Sequence, residues 1–94
     1  MQLKGKCILL TGATGGVGIV LAQQLALKGA RLALVGRDLT KLNALKQSLV
    51  AQNGEHAVIT ANFDVAGTTQ PLVDEAIKKL ESIDILINNA GILD

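Results

Sequence analysis

The stretch Thr11-Gly12-Ala13-Thr14-Gly15-Gly16-Val17-Gly18 places four glycines directly after a short apolar run, KCILLT, over residues 6–11. Where a strand leads into such a turn and a helix leads out of it, backbone N–H groups can approach an anion closely, and the positive end of the helix points the same way. The chemistry this spacing offers is the holding of a phosphate or pyrophosphate. Gly12 would allow the tight turn, and Gly16, Val17 and Gly18 would open the helix over the ligand. Glycines that merely form a turn are the simpler alternative, so the motif has meaning only if the elements around it are a strand and a helix.

Those elements are legible in the hydrophobic pattern. Residues 6–11 form a continuous apolar run closed by Gly12, the pattern of a strand buried on both faces. Residues 17–28 place Val17, Leu21 and Leu25 at four-residue spacing and stop at Gly29, which predicts a helix. RLALV, residues 31–35, is a second buried-type strand closed by Gly36. Asp38 can cap the next helix, whose stripe is Leu42, Leu45 and Leu49 and whose C-terminal signals are Asn53 and Gly54. AVITANF, residues 57–63, predicts a third strand, and residues 68–80 a third helix with Pro71 near its first turn. On that helix Asp74 with Lys78 and Glu75 with Lys79 put opposite charges four residues apart. Residues 83–88 are a fourth strand. Alternating buried-type strands and helices build an α/β fold: a doubly wound parallel sheet of strand order 3-2-1-4, helices on both faces, the first part of a Rossmann-type nucleotide-binding fold. The fourth strand would be an unpaired apolar edge, which predicts an incomplete sheet and a truncated domain. The mean hydropathy of +0.40 agrees.

Composition narrows the function classes. With 94 residues, 49% of them hydrophobic, the chain can bury one core, and disorder is excluded. Charged residues are 18% and sum to +1, so no basic footprint for nucleic acid exists. One Cys, Cys7, excludes an internal disulfide framework, and one His, His56, excludes a His-rich metal site; both predict an intracellular, metal-free chain in the cytoplasm. Cys7 reads as a small buried core residue, and His56 as a cap or solvated residue of the loop before the third strand. The apolar runs fall far short of the roughly 18 residues that span a bilayer, and Gly and Thr interrupt the apolar stretch after Lys4 and Lys6, unlike a signal peptide. Phe63 is the one aromatic residue, and there is no Tyr.

Two spaced motifs carry a family resemblance. TGATGGVG resembles the TGxxxGxG turn of short-chain dehydrogenases/reductases, with Gly12, Gly16 and Gly18 in the glycine places. Asn88-Asn89-Ala90-Gly91, reached through IDILINNAGI, resembles the NNAG segment of the same family. Gly12, Gly15 and Gly18 also satisfy TGxxGxxG, the turn of the extended, sugar-nucleotide-modifying branch, but NNAG favours the ordinary branch. The resemblance covers the whole chain and less than half of such a protein. It implies that residues 1–94 are the N-terminal part of one NAD(P)-binding Rossmann domain. It further implies hydride transfer between the cofactor and an alcohol or carbonyl substrate, and homo-oligomers of the full-length protein.

The cofactor reading turns on the tip of the second strand. Gly36 and Arg37 follow RLALV directly, so no carboxylate occupies the position that would hold the ribose 2′-OH of NAD. Asp38 is read as the helix cap in preference to a ribose ligand. Arg37 can meet a 2′-phosphate with its planar charged fork, and in the resembling family an Arg there marks NADP(H), so NADP(H) is expected over NAD(H). A solvated loop charge is the alternative for Arg37. By resemblance, Asp64 accepts from the adenine amino group with Val65 beside it, or else is a turn residue before Gly67. Thr14 lies near the adenosine ribose, and Asn89, Ala90 and Gly91 pass along the cofactor. Asn88 is expected to tie neighbouring strands together. The family's catalytic Ser, Tyr and Lys are not here, because no Tyr exists and Ser48 and Ser82 fall away from the cofactor ends of the strands. No catalytic and no metal-binding residue is assigned. A nucleotide-binding or partner-binding half-domain without catalysis is the alternative function.

Overall fold

The computed structural model describes residues 2–61 and 69–89. Seven elements alternate along the chain: β1 (Cys7–Thr11), α1 (Gly16–Leu27), β2 (Arg31–Gly36), α2 (Leu39–Ser48), β3 (Ala57–Thr60), α3 (Thr69–Leu80) and β4 (Ile85–Asn88). The strands form one parallel sheet ordered β3-β2-β1-β4, so the doubly wound arrangement expected from the apolar runs is present. Register runs from Cys7 opposite Arg31 to Thr11 opposite Val35. On the other side of β1, Ile8 lies opposite Ile85 and Thr11 opposite Asn88.

The two-residue strand period divides the core in two. Ile8, Leu10, Leu32 and Leu34 face α1 and α2, while Cys7, Leu9, Ala33, Val35, Ala57 and Ile59 face Leu72, Ala76 and Leu80 of α3. Leu42, Leu45 and Leu49 are buried, as the α2 stripe requires. Cys7 is a buried core residue whose thiol lies 3.8 Å from the Leu80 carbonyl.

The structure corrects the reading of α1. Its fully buried residues are Gly18, Ala22 and Ala26; Leu21 and Leu25 pack against the same core only partly buried, and Val17 is 46% exposed. A helix apolar on nearly every side gives its large residues no power to choose a face, and the small residues win because they let the helix approach the sheet. Element ends also differ. β3 stops at Thr60, β4 begins at Ile85, and α2 ends at Ser48. Asn53, expected to signal the end of α2, instead donates from Nδ2 to the Gly29 carbonyl at 2.6 Å. Ser48 is structural, its hydroxyl donating back to the Leu45 carbonyl at 2.7 Å.

The short strands are secured by side chains at their ends. Asp84 Oδ2 accepts from the Cys7 N–H (2.8 Å), and the Asp84 N–H donates to the Cys7 carbonyl (2.8 Å), closing the entry to the β1–β4 pair. His56 does the same for β2 and β3. It is 3% exposed rather than solvated. Nδ1 accepts from the Leu32 N–H at 3.0 Å and Nε2 faces the Val50 carbonyl at 2.8 Å, so the ring proton belongs on Nε2. In His56→Phe the ring is kept but the Leu32 N–H and the Val50 carbonyl lose their partners. Stability should fall by about 2 kcal/mol or more, at about 1–3 kcal/mol per buried unpaired group. Urea denaturation checks this, and an unchanged midpoint would show that water replaces the ring.

Candidate functional site

All four strands are parallel, so their C-terminal ends open on one edge of the sheet, and the direction of chain progress reverses between β1 and β4. A crevice outside that reversal is where ligands of open α/β sheets bind. The glycine turn lies there.

Gly12 leaves β1 with φ +63°, a left-handed conformation that favours glycine. Its carbonyl accepts from the Gly15 N–H at 3.2 Å and from Asn89 Nδ2 at 3.2 Å. A Cβ on Gly18 would overlap that same carbonyl oxygen and come within 2.9 Å of Ala13 Cα and C, so α1 rests on the turn through a bare Cα. Gly16 differs. It opens α1, is exposed, and a Cβ there would meet no atom within 4 Å. The N-cap is Gly15, which has no side chain to cap with, and the first turn of α1 contains no acid. The first N–H groups of the helix therefore face open space, the condition that suits an anion. The arrangement fits a pyrophosphate: close packing at Gly12 and Gly18, open room at Gly16.

The turn is held from both neighbouring strands. The Ala13 N–H donates to the Val35 carbonyl at 3.0 Å, which draws the turn toward the tip of β2. Thr14 consequently lies beside Gly36; a Cβ on Gly36 would stand 3.5 Å from Thr14 Oγ1 and 3.3 Å from Leu42 Cδ2. On the β4 side, Thr11 Oγ1 donates to Asn88 Oδ1 (2.9 Å) and accepts from the Asn89 N–H (2.9 Å). Asn88 thus ties strands as expected. The structure adds that Asn89, 1% exposed, does so as well, and that Thr11 is the partner of both. Sequence reasoning missed this because residues 77 or 78 apart give no local signal. Asn89 Oδ1 is buried with no partner among the described residues.

At the tip of β2, Gly36 is the buried last residue of the strand and Arg37 follows it exposed at the same edge. Asp38 is the N-cap of α2, its Oδ1 accepting from the Lys41 N–H at 3.1 Å. The structure therefore brings Gly12, Thr14, Gly16, Val17, Gly18, Arg37 and Asn89 to one edge of the sheet. Asp64, Val65, Ala90 and Gly91 lie outside the described residues. Among the described residues no group of three or more His, Cys, Asp or Glu could hold a metal ion, and no helix is long and apolar enough to cross a membrane.

The family model for short chain dehydrogenase matches residues 6–94. The chain belongs to the short chain dehydrogenase family. Among curated relatives, glucose 1-dehydrogenase of Gluconobacter oxydans is 39% identical over 91 residues, covering 96% of this chain and 34% of that protein. A short chain dehydrogenase from Bacillus anthracis superposes with a TM-score of 0.82 at 30% identity, over 96% of this chain and 36% of that one. A 3-oxoacyl (acyl-carrier-protein) reductase from Agrobacterium tumefaciens, solved with NADP bound, superposes with a TM-score of 0.81 at 31% identity, over 94% of this chain and 34% of that one. The sheet order and helices are those of this Rossmann-type family, and the chain spans about a third of the length of the relatives it matches (34% of the first).

The two helix glycines of this short chain dehydrogenase turn should respond oppositely to a methyl group. Gly18→Ala should lower the thermal midpoint by roughly 10 °C, since overpacking costs about 2 kcal/mol and a domain of this size loses about 4–8 °C per kcal/mol. Gly16→Ala should leave it unchanged or raise it, because Ala exceeds Gly in helix propensity by up to about 1 kcal/mol. Thermal melts of the two variants check this, and equal losses would refute the division of labour.

Proposed function

We propose that residues 1–94 are the N-terminal part of one NAD(P)-binding Rossmann domain. The protein is then an oxidoreductase that transfers hydride between NADP(H) and an alcohol or carbonyl substrate. Family membership supports the oxidoreductase class. The preference for NADP(H) over NAD(H) rests on a single observation: Gly36 ends β2, Arg37 follows it, and the carboxylate next in the chain, Asp38, is engaged as the α2 cap. The NADP bound in the Agrobacterium reductase agrees with this choice.

On this reading, backbone N–H groups at Gly16, Val17 and Gly18 hold the pyrophosphate, with Gly12 shaping the turn. Arg37 receives the 2′-phosphate, and Thr14 lies by the adenosine ribose. By family resemblance, Asp64 and Val65 take the adenine, and Asn89, Ala90 and Gly91 line the path of the cofactor. When bound, the dinucleotide supplies or accepts the hydride. Proton transfer and substrate orientation need the family's Ser, Tyr and Lys, and residues 1–94 contain no Tyr. We place the protein in the cytoplasm and expect homo-oligomers of the whole protein.

Titration of the chain with reduced nucleotides tests the assignment. Arg37→Ala should weaken NADPH binding roughly 10- to 100-fold, the equivalent of about 1.5–3 kcal/mol for hydrogen bonds to a charged group, and leave NADH binding within about twofold. Equal losses for both nucleotides would remove the 2′-phosphate assignment. Gly16→Val should abolish binding of both while the far-ultraviolet spectrum stays native, and retained affinity would remove the pyrophosphate site. Residues 1–94 alone should turn over no alcohol or carbonyl, measured by absorbance at the reduced-nicotinamide band.

A further inference from the structure

The strand at the other edge of the sheet, β3, presents a docking surface unrelated to the cofactor reading. The Ala61 N–H donates to the Gly36 carbonyl at 2.9 Å, which sets the residues that turn toward β2. By the two-residue period, Val58 and Thr60 direct their N–H and C=O groups outward. Lys79 Nζ donates to the Val58 carbonyl at 3.4 Å, consistent with that direction. An open groove of about 490 Å³ lies against this edge, with Val58 in its lining, Leu39 and Lys46 of α2 contributing, Arg31 and Glu55 beside them, and Lys79 reaching in from α3.

The charge of the groove selects its occupant. Arg31, Lys46 and Lys79 face one acid, Glu55. Arg31 is fixed, its guanidinium donating to the Leu80 carbonyl (3.3 Å) and the Glu55 carbonyl (3.4 Å). Lys79 is held loosely: its partner Glu75 is 3.8 Å away, both side chains are about half exposed, and such a pair contributes little. A second copy meeting this edge would set cations against cations, which disfavours self-pairing. Lys46 of α2 and Lys79 of α3 stand on opposite faces of the sheet, so an extended segment bearing carboxylates on adjacent residues, which project to opposite faces, would satisfy both the outward backbone groups and the lysines. We propose that the β3 edge binds an extended acidic segment of a partner protein as an added strand, displacing Lys79 from Val58 and pairing it and Lys46 with carboxylates.

Fluorescence anisotropy of the full chain with a labelled, N-acetylated hexapeptide of sequence Val-Glu-Glu-Val-Glu-Glu, which presents carboxylates to both faces, tests this. The expected result is saturable binding that weakens at least tenfold in the double variant K46E/K79E. A fully N-methylated peptide of the same sequence and charge should also bind at least tenfold more weakly, because it cannot donate to the edge; this comparison leaves the protein unaltered. The variant is read only alongside a thermal midpoint matching the unsubstituted chain. No binding to the unsubstituted chain would overturn the proposal. Equal binding of the N-methylated peptide would reduce the surface to a basic patch and overturn strand addition, as would binding that a well-folded K46E/K79E retains.

Discussion

The Gly12 carbonyl is the point on which the candidate site depends. It closes the turn by accepting from Gly15, receives the Asn89 carboxamide from β4, and supports the bare Cα of Gly18 at the start of α1. A carbonyl has two lone pairs, and both are used. The turn, the start of α1 and the end of β4, the last 77 residues away, therefore meet at one oxygen atom, and each limits where the others can go. The left-handed conformation at Gly12 aims the oxygen at them, so the glycine is needed for direction as well as for room.

Around that point the sheet is held by side chains at strand ends more than by ladder length. β3 and β4 have four residues each, too few to specify register by backbone bonds alone. Asp84 closes one end of the β1–β4 pair and Thr11 with the two asparagines closes the other. The β2–β3 pair has His56 at its entry and the Ala61-to-Gly36 bond at its exit. Polar side chains in these places carry register information that Val, Ile and Leu, interchangeable on a two-sided strand, cannot carry.

This explains what was and was not legible in the sequence. The strands announced themselves as apolar runs between glycines, and α2 as a stripe of Leu42, Leu45 and Leu49, because burial on both faces and burial on one face leave different periods. Asp38 as a cap is a local interaction between neighbouring residues and was legible for that reason. The face of α1 was not, since its pattern is apolar nearly all round and the choice was made by the size of Gly18, Ala22 and Ala26. His56 joins Leu32, Asn53 joins Gly29 and Asn89 joins Gly12, each across 24 residues or more, and their types alone are equally compatible with solvated loops.

The same closeness bears on how the tip of β2 could select a cofactor. Gly36 is buried, and any side chain placed on it would press on Leu42 of α2 and approach the hydroxyl of Thr14. A side chain at this position would need the Leu42 methyl, 3.3 Å from the added Cβ, to shift by a few tenths of an ångström, so glycine leaves the α2 seat undisturbed. Arg37, one residue further, is exposed and meets no such restriction from the core. Under the proposed reading, preference for a 2′-phosphate is built from two layers: a glycine that fits closely against α2, and a cation placed where the strand ends. Placing an acid at the tip would press on Leu42 as well as face Arg37, so the α2 seat and the arginine bear on the same choice.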